Sequence, residues 1–416
     1  MKKLKRILAS LLPGIFLIGY NVGTGSVTSM SKAGANFGLD LLWTVLISCF
    51  ITYYLIIRFS QFTMVTGETI IRGIKEHIHP WVAMTLICAL STIILAALIG
   101  LMGILADVLQ VWSESSLDWN VPKTAWALGI AFIVYLLLWM GNYAFFEKLL
   151  AVLVAIMGLA FLATMFLDFP SASDLMAGLV PSLPEGGERS DNGALVIVAG
   201  MVGTTVSVFA FIIRSQIIQE IGWKIEDDAI QRRDALVSAS MMFLISAAVM
   251  ITAASTLHAK GLSMNNVTEM IPLMEPIAGK AALGVFVIGI LAAGLSSHLP
   301  NMLVIPWLII DYRNEQRDTK KTRYRILLFL LSVVSIMGVI LDFKPVFVLL
   351  LSQACIAIVL PLTIICLLYL TTKKELMKDH TNKAHDIIIL GLVLIFSIYM
   401  SAVGISGLVN DLKSVF

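Results

Sequence analysis

The chain has 416 residues, 58% of them hydrophobic and 13% charged, against roughly 25% charged in an average soluble domain. That balance excludes a soluble globular protein, and a net charge of +2 provides no basic surface for nucleic acid. Cys49, Cys88, Cys355 and Cys366 all fall inside apolar runs without paired spacing, which argues against a disulfide framework or a zinc site.

Apolar runs of about 20 residues, long enough to cross a bilayer, occur about eleven times: at 9–35, 40–63, 81–110, 123–143, 146–168, 194–221, 234–258, 281–311, 324–341, 345–371 and 386–410. The opening Met-Lys-Lys-Leu-Lys-Arg resembles a signal peptide, but its apolar run continues into a polar interruption and more spans, so it reads as an uncleaved first span. With the N-terminus in the cytoplasm, about 22 of the 29 Lys and Arg face inward and the C-terminus falls outside.

In the first run, Gly19 to Ser26 (GYNVGTGS) is poor helix material. Glycine costs about 1 kcal/mol relative to alanine, and the hydroxyls of Thr24 and Ser26 compete for backbone bonds. A helix broken in lipid survives only where protein or a watery cavity satisfies its backbone. The substrate is therefore expected at Gly23, Thr24, Gly25 and Ser26. Gly19 and Gly23 also fit the Gly-x-x-x-Gly spacing of a helix contact.

Residues 66–78 have apolar positions at helical spacing and read as a short amphipathic helix on the inner surface. The third span contains Ser91 and Thr92 but no acid before Asp107. Gly141-Asn142-Tyr143 makes a tight turn, with Glu147 and Lys148 after it as an interfacial ion pair. The stretch 169–192, rich in Pro, Gly, Ser and acids, separates two halves. Residues 1–168 form the first repeat, 169–192 an extracellular loop, 193–371 the second repeat, and 372–416 a linker and an eleventh helix.

In the sixth span, Val202-Gly203-Thr204-Thr205-Val206-Ser207-Val208 echoes Val22-Gly23-Thr24-Gly25-Ser26-Val27. One matched interruption in each half points to an inverted-repeat transporter with its site at the repeat interface. Thr204, Thr205 and Ser207 join the candidate set. Arg214, about two turns further on, reads as a gate or vestibule charge, or as a side chain snorkelling to the surface. The eighth span contains Ala293-Gly294-Leu295-Ser296-Ser297-His298, then Pro300 and Asn301, and the tenth contains Gln353 and Pro361.

These stretches carry a resemblance. AGANFGLDLLW, GLVPSLP, AGLSS and LSQACIAIVLPL leading into LLYLTTKKELM make the chain resemble, over nearly its whole length, the Nramp family of proton-coupled divalent metal transporters. The resemblance implies an all-α membrane protein with a LeuT-like fold. That fold has two inverted five-helix repeats plus an eleventh helix, with helices 1 and 6 broken at the midplane. The family's ligands do not carry over: its Asp-Pro-Gly-Asn falls on Gly23, Thr24, Gly25 and Ser26, and its Met-Pro-His-Asn on Ser207, Val208, Phe209 and Ala210. A further histidine falls on Arg214, the third-helix acidic pair has no counterpart between Ser91 and Gly103, and only Gln353 survives.

Hydroxyls and carbonyls alone do not offset the dehydration of a dication, so the usual metal site and proton route are expected to be absent. Gly19–Ser26 and AGLSS are also similar to motifs of LeuT-type sodium symporters. That second resemblance implies a sodium ion at Gly19, Val22, Ala293, Ser296 and Ser297. The expectation is an alternating-access secondary transporter in the lipid bilayer, of a bacterial inner membrane, taking a small solute with sodium as coupling ion. It has no other cofactor and no obligatory protein partner. The alternative is a divalent ion such as Mg2+ or Mn2+ bound with most of its water. An intramembrane enzyme is disfavoured because Ser296, Ser297 and His298 are adjacent on a helix and point about 100° apart. A channel lacks a selectivity ring.

Overall fold

The computed structural model describes residues 23–140, 144–167, 169–182, 194–274, 282–315, 318 and 320–415. Its helices are α1 (Thr24–Phe37), α2 (Leu42–Thr66), α3 (Ile70–His77), α4 (Pro80–Leu117), α5 (Lys123–Met140), α6 (Ala144–Leu167) and α7 (Ala172–Gly178). They continue with α8 (Ala194–Thr205), α9 (Val208–Ile221), α10 (Asp228–Thr256), α11 (Ala282–Tyr312), α12 (Thr322–Ile340), α13 (Pro345–Thr372) and α14 (Ala384–Val415). Nine helices among the described residues are long and apolar enough to cross a membrane, counting α8 and α9 as one span. The architecture is LeuT-like, two inverted five-helix repeats followed by an eleventh helix.

Helix ends follow local chemistry. α2 stops at Gly67, whose φ of 73° is the left-handed conformation that ends a helix, and α9 stops the same way at Gly222. Pro80 occupies the first turn of α4, where its missing N–H costs nothing. Two elements depart from the sequence expectation. α10 starts at Asp228, before the expected 234, because its first two turns carry four charges and too few apolar residues to read as part of a membrane span. The outer stretch holds α7, whose seven residues are too few to show periodicity; the Ser171 hydroxyl accepts from Asp174 N to start it. The Glu147–Lys148 ion pair, the turn at Gly141 and residues 1–22 lie outside what is described.

The sixth span is the hub: its most apolar window is 100% buried, against 28% for α5 at the periphery. α13 packs along α4, α8 and α14, while α10 packs along α1 and α2. Lipid supplies no hydrophobic force between helices, so close backbone approach does this work. At Gly203 a Cβ would sit 1.9 Å from the Gln353 carbonyl oxygen, and at Gly34 2.3 Å from that of Met250. These two glycines seat α8 on α13 and α1 on α10.

The amphipathic reading of 66–78 holds. α3 buries Ile70, Ile71 and Ile74 and exposes Glu76. It is fastened at several points. Thr69 Oγ1 donates to Asp311 at 2.6 Å, Ile70 N to Ser215 Oγ at 3.3 Å, and Lys75 Nζ to the Tyr312 carbonyl at 2.7 Å. Gln216 on α9 donates to the other oxygen of Asp311 at 3.2 Å. At the opposite end of the bundle, Lys123 donates to Asp342, which holds that exposed carboxyl below its ordinary range.

Candidate functional site

The second break is real and falls at the end of the expected stretch Val202–Val208. α8 continues as helix through Gly203, Thr204 and Thr205, and the chain leaves helical geometry at Val206 and Ser207. Gly203 therefore echoes the first half for packing, and the unwound residues follow it. Ser207 is extended (φ −79°, ψ 113°), and α9 starts at once with Val208. In the first half Gly23 is likewise extended (φ −88°, ψ −168°) and starts α1. Gly19 and Val22 lie outside the described residues.

Between these starts lies a cavity of about 40 Å³, measured as space for the centre of a water molecule and enough for roughly three waters. Its polar wall comprises Gly23, Gly25, Ser26, Thr204, Ser207, Ser297, Asn301 and Gln353. Its apolar wall comprises Ile93, Ile94, Ala97 and Leu101 of α4, Phe209 of α9, and Leu349 and Ile356 of α13. No lining residue is charged among those described. The sequence pattern thus brings six of the eight expected substrate residues together, along with Ser297.

Thr24 and Thr205 are not on the wall. Thr24 is fully buried with its hydroxyl unpaired, and Thr205 bonds back to the Met201 carbonyl at 2.9 Å. Of the five expected sodium ligands, Gly19 and Val22 lie outside the described residues. Ser296 donates to the carbonyl of Ala293 at 2.9 Å within its own helix, whereas Ser297 reaches the wall with a buried, unpaired Oγ. Asn301 and Phe209 complete the lining. Asn301 was legible as the residue one turn after Ser297, and Phe209 as the second residue past the break.

Several carbonyls near the cavity are engaged. The Gly25 oxygen accepts from Ser29 Oγ at 2.7 Å, and the Thr205 oxygen from Thr52 Oγ1 at 2.7 Å. At the end of α8, the Met201 oxygen accepts from Thr204 and Thr205, and the Val202 oxygen from Val206 N. On the donor side Ser207 caps nothing, and Gln353 brings its amide close to Gly25.

Arg214 neither lines the cavity nor snorkels. It is fully buried, with Nη1 2.5 Å from Asp234 Oδ2 on α10 and Nε 3.4 Å from Ser60 Oγ on α2. The guanidinium also lies 5.7 Å from the centre of the Trp223 ring. The expected gate or vestibule charge thus sits in a buried ion pair that joins α9 to α10, with α2 alongside. Sequence missed Asp234 because it was placed at a membrane end, where an acid is ordinary. The four cysteines are free thiols.

Comparison with known proteins bears directly on these elements. Residues 14–406 match the profile of the family described as Nramp, natural resistance-associated macrophage protein-like. The chain is 25% identical over 395 residues to the divalent metal cation transporter MntH of Caldanaerobacter subterraneus subsp. tengcongensis, covering 91% of this chain and 88% of the relative. Among solved structures it is similar to the Eremococcus coleocola manganese transporter (TM-score 0.80, 17% identity, 97% of this chain and 87% of the other). It is also similar, at a TM-score of 0.57 and 15% identity, to Mhp1, a nucleobase-cation-symport-1 family transporter, with 98% and 91% covered.

Proposed function

The chain belongs to the Nramp-like family, and on that premise we propose that it is an integral membrane secondary transporter that moves a divalent cation, carried with part of its water, by alternating access. The observation that carries the reading is the uncharged cavity between two helix starts, at the place where the fold puts its cargo. Relatives named for divalent or manganese transport supply the class of ion. The lining supplies neither carboxylate nor thioether, so an ion that dehydrates reluctantly, such as Mg2+, suits it better than a soft one. The test is flux in proteoliposomes with magnesium and manganese, each with and without sodium. Absence of flux for both ions refutes the proposal.

Two expectations follow for the same site. Purified protein should bind manganese or cadmium only weakly by calorimetry, and Gly23→Asp should tighten binding about tenfold, about 1.4 kcal/mol, by restoring one carboxylate. Gly23 has an extended backbone that any residue can adopt, so the variant should fold. No gain in affinity would show that lost charge is not the reason.

A second reading, sodium-coupled uptake of a small solute, is favoured by one observation: Ser297 Oγ is buried on the cavity wall without a partner. An ion there would draw Ser296 away from the Ala293 carbonyl and use both groups. A ligand at 100 times its dissociation constant stabilises its protein by about 2.7 kcal/mol. Sodium should then raise the unfolding temperature relative to potassium, and Ser296→Ala/Ser297→Ala should abolish the difference. Equal stability in the two salts at every concentration rules this reading out.

A further inference from the structure

We propose that the shared edge of α5 and α12, at the end of the bundle where residues 313–325 lie, holds an anionic phospholipid by its phosphate. Both helices are peripheral: the most apolar window of α5 is 28% buried and that of α12 44%. They run antiparallel in matched register. Arg325 on α12 lies over the Trp139 ring of α5, 4.0 Å from its centre, and one turn further in Phe329 meets Tyr135 edge-on at 5.7 Å. Trp139 and Tyr135 are four residues apart, as are Arg325 and Phe329, so both contacts stand on one shared face. Another turn inward, Phe132 of α5 and Val333 of α12 are exposed. From the helix ends inward the edge thus passes from cation to aromatic rings to apolar side chains. A phospholipid presents headgroup, interface and acyl chains in the same order.

Charge identifies the occupant. Among the described residues Arg325 has no carboxylate partner, and its Nη2 donates to the Trp139 carbonyl at 3.4 Å. Glu315 of the adjoining linker is held by Lys321, Arg323 and Tyr324. Across the described part of that linker Arg313, Lys320, Lys321, Arg323 and Arg325 outnumber Glu315 and Asp318. A guanidinium stacked on an indole is held in place by the ring face and offers the donors along its edge to a phosphate. An excess of cations at the membrane surface draws anionic headgroups. A zwitterionic lipid brings its own cation beside its phosphate and gains less there. The proposal requires only that the chain spans a membrane, whatever its cargo.

The experiment is native mass spectrometry of the full chain in detergent, with phosphatidylglycerol or phosphatidylcholine added at equal concentration. The parent should bind its first phosphatidylglycerol about tenfold more tightly than phosphatidylcholine, the size of one charge-assisted hydrogen bond. Arg325→Gln should abolish that preference. Trp139→Leu keeps an apolar side chain but removes the stacking ring; it should weaken the preference too, and it decides the matter if the first variant is unstable. Arg313→Gln, in the same linker but outside the stacked pair, should leave the preference intact, which separates a defined seat from diffuse attraction by the linker. Glycerol phosphate, the headgroup without its chains, should not displace the lipid at the same concentration. The proposal is overturned if the parent binds both lipids equally, or if the preference survives Arg325→Gln or Trp139→Leu in full. Equal loss in Arg313→Gln also overturns it, and displacement by glycerol phosphate assigns the edge to soluble anions instead.

Discussion

Replacing Asp234 by alanine is expected to destabilise the protein by about 3–5 kcal/mol, because it strands the Arg214 guanidinium, fully buried, without its counter-charge. The pair need not be stabilising for this to hold. Taking two ions out of water costs several kcal/mol each, and their attraction only offsets that cost, but removal of one partner leaves the whole penalty of the other. Asp234→Asn should cost less, since the amide oxygen still accepts from Nη1. The apolar double variant Arg214→Met/Asp234→Leu should recover most of the loss. Unfolding temperature in detergent measures all three. If Asp234→Ala unfolds within about 1 kcal/mol of the parent, the ion pair has no structural weight. A double variant no better than the single one would mean that specific geometry, rather than charge balance, is required.

Gly203→Ala is expected to reduce stability by about 1–3 kcal/mol and to abolish transport. Its Cβ would stand 1.9 Å from the Gln353 carbonyl oxygen, so the backbones of α8 and α13 must separate. Neither neighbour can yield by turning a side chain, because the obstacle is main chain. Gln353 lies on the cavity wall, and the separation carries it away from Gly25 and Ser207. Gly25→Ala is the control: its Cβ meets only the end of the Gln353 side chain, at 3.1 Å, which can move aside. Transport and stability should both fall in the first variant, with stability largely kept in the second. Full flux through Gly203→Ala would show that the spacing of these helices does not set the site.

Much of the architecture was legible because lipid leaves the chain little choice. An apolar run of 20 residues must cross as a helix, and a Gly-rich interruption inside it must face protein or water. That logic found Gly23, Gly25, Ser26, Thr204 and Ser207, and the family resemblance Gln353, all on one cavity. It did not narrow the break within Val202–Val208 to Val206 and Ser207, because a glycine such as Gly203 serves close packing in a membrane helix as readily as unwinding, and sequence does not distinguish them. Thr205 shows a different limit: its hydroxyl folds back on Met201 and its carbonyl is taken by Thr52 from α2. Such partners depend on tertiary placement. The same holds for Arg214, whose role was undecidable until Asp234, twenty residues on, was found beside it.

The fastening of α3 has a mechanical consequence. Through Ile70 and Ser215 it is tied to α9, through Thr69 and Lys75 to the end of α11, and Gln216 joins those two helices through Asp311. These three pieces form a closed triangle of struts, so α9 cannot tilt without dragging along a helix whose other face lies exposed. The remaining path runs through the pair of residues between α8 and α9, where helical geometry is interrupted. Any displacement of α9 would therefore carry α3 with it, with the interruption at Val206 and Ser207 as its joint to α8.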